Sequence, residues 1–78
     1  MNTTTQAIIA QLPRKPLLSP AEVAAAYGLK TSDPIIADIK TGRLAANKVG
    51  GKYIIAREAA AAYIAANEYQ PEEGTIKK

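Results

Sequence analysis

The sequence contains no cysteine, no histidine, no phenylalanine and no tryptophan. The first two absences each remove a class of chemistry. Without cysteine there is no disulfide framework, no thiolate nucleophile and no zinc finger. Without histidine there is no imidazole general base. Carboxylates are left as metal ligands, but the seven acidic residues are scattered. Their one adjacent pair, Glu72-Glu73, stands in a polar stretch and reads as solvated charge. No nucleophile–base pair can be assembled, so the expectation is a protein that is not an enzyme and uses no cofactor or metal.

Long apolar runs are missing as well. The longest uncharged run near the C-terminus, Ala59 to Asn67, is too short to span a bilayer. Met1 to Thr5 lacks the basic region of a secretory signal. A soluble cytoplasmic protein with no membrane contact is expected.

What is present is a chain of 78 residues, 47% hydrophobic, which suits one domain. Sixteen of the apolar residues are alanine, leaving nine Ile, five Leu, two Val, four Tyr and one Met for the core. A chain of this size buries only about 60% of its unfolded surface. Stability should be modest, and a large enclosed substrate pocket is excluded.

The net charge of +3 is unevenly spread. Residues 30–57 carry Lys30, Lys40, Arg43, Lys48, Lys52 and Arg57 against Asp33 and Asp38, a local balance of +4. Residues 58–76 carry Glu58, Glu68, Glu72 and Glu73, a balance of −4. Two readings fit this asymmetry: an anionic partner for the middle segment, or a surface whose charges happen to cluster.

Along the chain, residues 1–16 read as an N-terminal tail with an optional short helix around Ala7 to Leu12, stopped by Pro13 and Pro16. Ile8, Ile9 and Leu12 are too apolar for solvent and should pack on the domain or on a second subunit. Ser19-Pro20-Ala21-Glu22 is a capping box with Pro at the first helical position, and Gly28 ends that helix. Val23 and Tyr27 mark its buried stripe. Thr31-Ser32-Asp33-Pro34 opens a second helix, closed by Gly42, with Ile35 and Ile39 on one face. The two helices form a helix–turn–helix candidate. Asn47-Lys48-Val49, Gly50-Gly51 and Lys52-Tyr53-Ile54-Ile55 read as a β-hairpin with a two-residue turn. A last helix spans about Arg57 to Asn67, with Ala59, Ala62, Tyr63 and Ala66 at helical spacing. Residues 68–78 read as a polar C-terminal tail.

Leu17-Leu18-Ser19-Pro20-Ala21-Glu22-Val23-Ala24, Gly28-Leu29 and Ile39-Lys40-Thr41-Gly42-Arg43-Leu44 are followed by Val49-Gly50-Gly51-Lys52-Tyr53-Ile54-Ile55-Ala56-Arg57-Glu58 and Ala62-Tyr63-Ile64. In this order they resemble the excisionase-like branch of the MerR-type winged helix–turn–helix family, over roughly residues 17–65. The fold then expected is mainly α with a small β-hairpin wing, a single winged helix–turn–helix domain over residues 17–67. The resemblance implies a DNA-binding module whose second helix enters the major groove and whose hairpin touches phosphate or the minor groove.

The DNA-binding candidates are Thr31, Ser32, Ile36 and Lys40 on the second helix and Arg43 after it. Asn47, Lys48, Gly50, Gly51 and Lys52 follow on the hairpin, and Arg57 on the last helix. Lys is suited to base edges or phosphate, Ile36 to a thymine methyl, and the glycines to close backbone approach. Relatives commonly carry Arg in the middle of the second helix, where this chain has Ile36-Ala37-Asp38, and an Asp facing DNA would be repelled. The leading reading is a small DNA-binding protein, an excisionase-like recombination directionality factor or compact transcriptional regulator. It would bind double-stranded DNA as a dimer or cooperative array and work with a recombinase or RNA polymerase. The alternative is a protein–protein interaction module on the same fold with weak or no DNA binding. Its partner would take the Ile36 face or the segment containing Ile8, Ile9 and Leu12.

Overall fold

The structure, a computed structural model, describes residues 2–69. The C-terminal tail expected from 68 onward therefore lies, beyond Tyr69, outside the described residues. Among the described residues the chain forms four helices and a three-stranded antiparallel sheet. In chain order these are α1 (Thr3–Ala10), β1 (Leu17–Leu18), α2 (Pro20–Ala26), α3 (Asp33–Lys40), β2 (Asn47–Val49), β3 (Lys52–Ala56) and α4 (Arg57–Ala66).

The N-terminal segment is part of the body. The Asn2 side chain caps α1 by accepting the Thr5 amide at 2.7 Å. Leu12 is 2% exposed, and Ile8 and Ile9 pack against the same core. Of the two sites open to these residues, the domain itself is the one they occupy. The far end of α4 holds α1 from the other side: the Asn2 amide donates to the Glu68 carboxylate at 2.9 Å. The Thr5 hydroxyl and that amide keep the Glu68 carboxyl below the usual range.

α2 begins with the expected capping box, Ser19 Oγ accepting from Glu22 N and Glu22 Oε1 from Ser19 N. Lys15 reinforces it through an ion pair with Glu22. At the end of α3, the Arg43 amide returns to the Asp38 carbonyl and the Gly42 amide to the Ile39 carbonyl, the pair of bonds that closes a helix with a left-handed residue. Gly42 supplies that conformation at φ 86°. Leu44 is thereby delivered to the core, where it is buried.

The sheet differs from a bare hairpin. Its order is β1-β3-β2, so the two-residue strand Leu17–Leu18 forms a third strand that periodicity cannot detect in so short a run. β1 pairs with the last two residues of β3 (Leu17 with Ala56, Leu18 with Ile55), whereas β2 pairs with the first three. One end of β3 is thus anchored in the body, and the Gly50-Gly51 end projects from it. Both turn glycines have positive φ, 57° and 82°, as a two-residue turn that matches strand twist requires.

The core gathers Leu12, Leu18, Val23, Ala24, Ile35, Leu44, Ile55, Ala60, Tyr63 and Ile64. On α4 the buried stripe is Ala60, Tyr63 and Ile64, with Ala62 and Ala66 exposed. Of the residues noted for their helical spacing, Tyr63 is buried and Ala59 half-buried. Alanine on every face leaves the apolar periodicity nearly flat, so spacing alone cannot fix the phase of this helix.

Replacing Leu12 with Ala should lower unfolding stability by about 2–5 kcal/mol, since a buried leucine is emptied. Urea denaturation reads this directly. A variant as stable as the parent would show that the N-terminal segment is only a tail.

Candidate nucleic-acid interface

α3 owes its orientation to Ile35, which is buried, and Ile39, which packs against the core. Asp33, Pro34, Ala37, Lys40 and Thr41 are exposed, and Ile36 is half-buried. Asp38 does not stand on that outer surface as a bare charge. Its carboxylate accepts the Tyr63 hydroxyl at 2.5 Å, so the acid that sequence alone sets against DNA is turned toward α4. The Tyr63 ring is itself braced edge-on by Tyr27, with centroids 6.1 Å apart. Burial, followed by the Asp38 contact, pushes the Tyr63 hydroxyl up to about 12.

The candidates at the start of α3 serve the helix itself. Thr31 Oγ1 accepts the Asp33 amide at 3.3 Å. Ser32 holds the N-cap position without a side-chain cap bond. Lys40 ends α3 and Arg43 follows Gly42, both exposed.

On the hairpin, the register divides the candidates between two faces. Asn47 and Lys52 share a face with Val49 and Ile54, whereas Lys48 lies opposite Tyr53 on the face that continues into buried Ile55. The Lys48 ammonium sits 5.4 Å from the Tyr53 ring centroid, which orients it by cation–π attraction. Lys48 and Lys52 therefore flank the glycine tip from opposite sides of the ribbon, and Gly50 and Gly51 are exposed between them.

Arg57 is tied into the fold. Its Nε donates to the Pro13 carbonyl at 3.0 Å and its Nη2 to the Ile9 carbonyl at 3.3 Å. Its own amide donates to the Pro16 carbonyl at 2.9 Å. Three bonds to the N-terminal segment make Arg57 a fastener of the fold and remove it from the set of freely placed cations.

Among the described residues the only ion pair is Lys15–Glu22. Lys30, Lys40, Arg43, Lys48 and Lys52 are all exposed and outside it. Lys30, in the turn between α2 and α3, belongs to this group although motif matching passes over it. No helix of the described residues is long and apolar enough to cross a membrane. The chain matches no family model, and no curated protein or solved structure matches it significantly.

The tyrosine shift has a definite sign. A raised pKa means that the folded protein keeps a proton that the unfolded chain has already lost, so the contribution is complete below about 10 and is lost as pH rises to about 12. The stability of the parent should therefore fall more steeply across that window than that of Tyr63→Phe, as followed by urea denaturation at stepped alkaline pH. Parallel slopes would show that Tyr63 is not held by Asp38 and the core.

Arg57→Gln should cost about 1–3 kcal/mol by leaving backbone carbonyls without their charged donor. Thermal unfolding tests this. No loss would return Arg57 to the list of free surface cations.

Proposed function

We propose that the chain is a small DNA-binding protein, an excisionase-like factor or compact regulator. In this reading α3 and the Gly50-Gly51 hairpin meet duplex DNA chiefly through its phosphates. The observation that carries the reading is the run Lys30, Lys40, Arg43, Lys48 and Lys52. These cations are exposed, lie outside any ion pair among the described residues and are concentrated in one stretch of chain. The turn of Asp38 toward α4 supports it, because the acid at the middle of α3 is occupied by Tyr63.

The outer surface of α3 has few groups suited to base edges. Lys40 and Thr41 stand at its C-terminal end, Asp33 and Pro34 at its start and the small Ala37 between. Affinity then comes mainly from phosphate, with limited sequence information in each copy. Self-association on repeated sites, as a dimer or cooperative array, supplies the selectivity that one domain lacks.

With about four phosphate contacts, the logarithm of the DNA association constant should fall against the logarithm of salt with a slope of about −4. Lys48→Glu/Lys52→Glu should abolish binding to duplex DNA at physiological salt, whereas Arg57→Gln should leave the slope unchanged. The primary test is retention of genomic fragments at low and at physiological salt. Enrichment of one locus with repeated short motifs fits a sequence-reading factor, and uniform salt-sensitive retention fits an architectural binder. No retention even at low salt would overturn the proposal.

A further inference from the structure

We infer that the outer face of the sheet is a docking surface for an acidic segment of a partner protein anchored by a large apolar side chain. Strand alternation places Leu17, Val49, Ile54 and Ala56 on the face opposite to buried Leu18 and Ile55. Leu17 is 56% and Val49 60% exposed, which is high for large apolar residues in so small a chain. Two adjoining depressions share Leu17 and Ala56. One, of about 600 Å³, lies at the β1 edge and reaches Arg14 and Arg57. The other, of about 200 Å³, lies over Ile54 and reaches Ala59.

The charges around this strip identify its occupant. Arg14, Lys15 and Arg57 line the larger depression with Glu58 as its one acid, and Lys52 stands on the same sheet face. Lys15 is neutralised by Glu22, but Arg14 and Lys52 are in no ion pair among the described residues. The bonds of Arg57 go to neutral carbonyls, so its charge also remains uncompensated. A second copy of the chain docked face to face would set these cations against one another. Duplex DNA would satisfy the cations but leave the leucine, valine and isoleucine uncovered. A segment with carboxylates around a leucine or aromatic anchor satisfies both, as interfaces with an apolar centre and charged rim do. This surface shares only Lys52 with the run of cations proposed to meet phosphate, so the inference does not depend on DNA binding.

The test is selection of short random peptides from a display library on the immobilised full chain. The selected sequences are then measured against Leu17→Ser/Val49→Ser and against Arg14→Glu. Both altered sites are exposed, and circular dichroism verifies that the variants remain folded. The expected winners carry net negative charge and a large apolar residue, and they lose about tenfold or more in affinity on each variant. On the parent their binding shifts the amide signals of Leu17, Ile54 and Ala56. Three results would overturn the inference: no acidic apolar class among the winners, winners that bind Leu17→Ser/Val49→Ser as tightly as the parent, or concentration-dependent dimerisation that buries this face. Duplex DNA shifting Leu17 and Ile54 as strongly as the peptides would do so too, by assigning the face to nucleic acid.

Discussion

Arg57 ties three parts of the chain together at one point. It is the first residue of α4, directly after the last residue of β3, so the strand turns into the helix with no loop between them. Its amide holds Pro16, its guanidinium holds Pro13 and Ile9, and the segment carrying those carbonyls is the one that leads into β1. Without this anchor, Leu17–Leu18 has only a two-residue ladder to keep it on β3, and α1 has only side-chain packing and the bonds of Asn2 and Thr5 to Glu68 to keep it beside α4. A chain rich in alanine has little burial to spare, so a charged donor on two backbone carbonyls, with the Arg57 amide on a third, carries unusual weight here.

The anchor also determines what the sheet can be. By fixing β1 on one end of β3, it leaves the glycine end as a projecting ribbon with two different faces. One face continues into Ile55 and the core and carries Lys48 on Tyr53. The other carries Lys52 and Asn47 beside an apolar strip. The same short hairpin thus presents a cation held by an aromatic ring on one side and an apolar surface rimmed by cations on the other.

The pair Tyr63–Asp38 does for α3 what Arg57 does for the N-terminal segment. A carboxylate facing outward at the middle of that helix would set the field of the surface against any anion. Bonded to a buried tyrosine on α4, it becomes a contact between helices and leaves Asp33, at the start of α3, as the one acid on an outer side that also carries Ala37, Lys40 and Thr41. The long reach from residue 38 to residue 63 is why no local pattern reveals it.

Local chemistry was sufficient wherever a short-range interaction decides the backbone. Ser19 to Glu22 specified the start of α2, Gly42 the end of α3, and Gly50-Gly51 the turn between β2 and β3, because caps and positive-φ turns are settled by neighbours in sequence. The sequence by itself likewise determined the concentration of cations between Lys30 and Lys52. Tertiary structure alone decided the phase of α4, where alanine on every face gives no periodic signal, and the third strand, which is too short to announce itself. It also decided that Asp38 is engaged by Tyr63 and Arg57 by backbone carbonyls, since a charged side chain reads as free in solvent until a partner distant in sequence claims it. The same reason hid the outer sheet face: Leu17 and Leu18 are identical in sequence, and only pairing with Ala56 and Ile55 sends one to solvent and the other to the core.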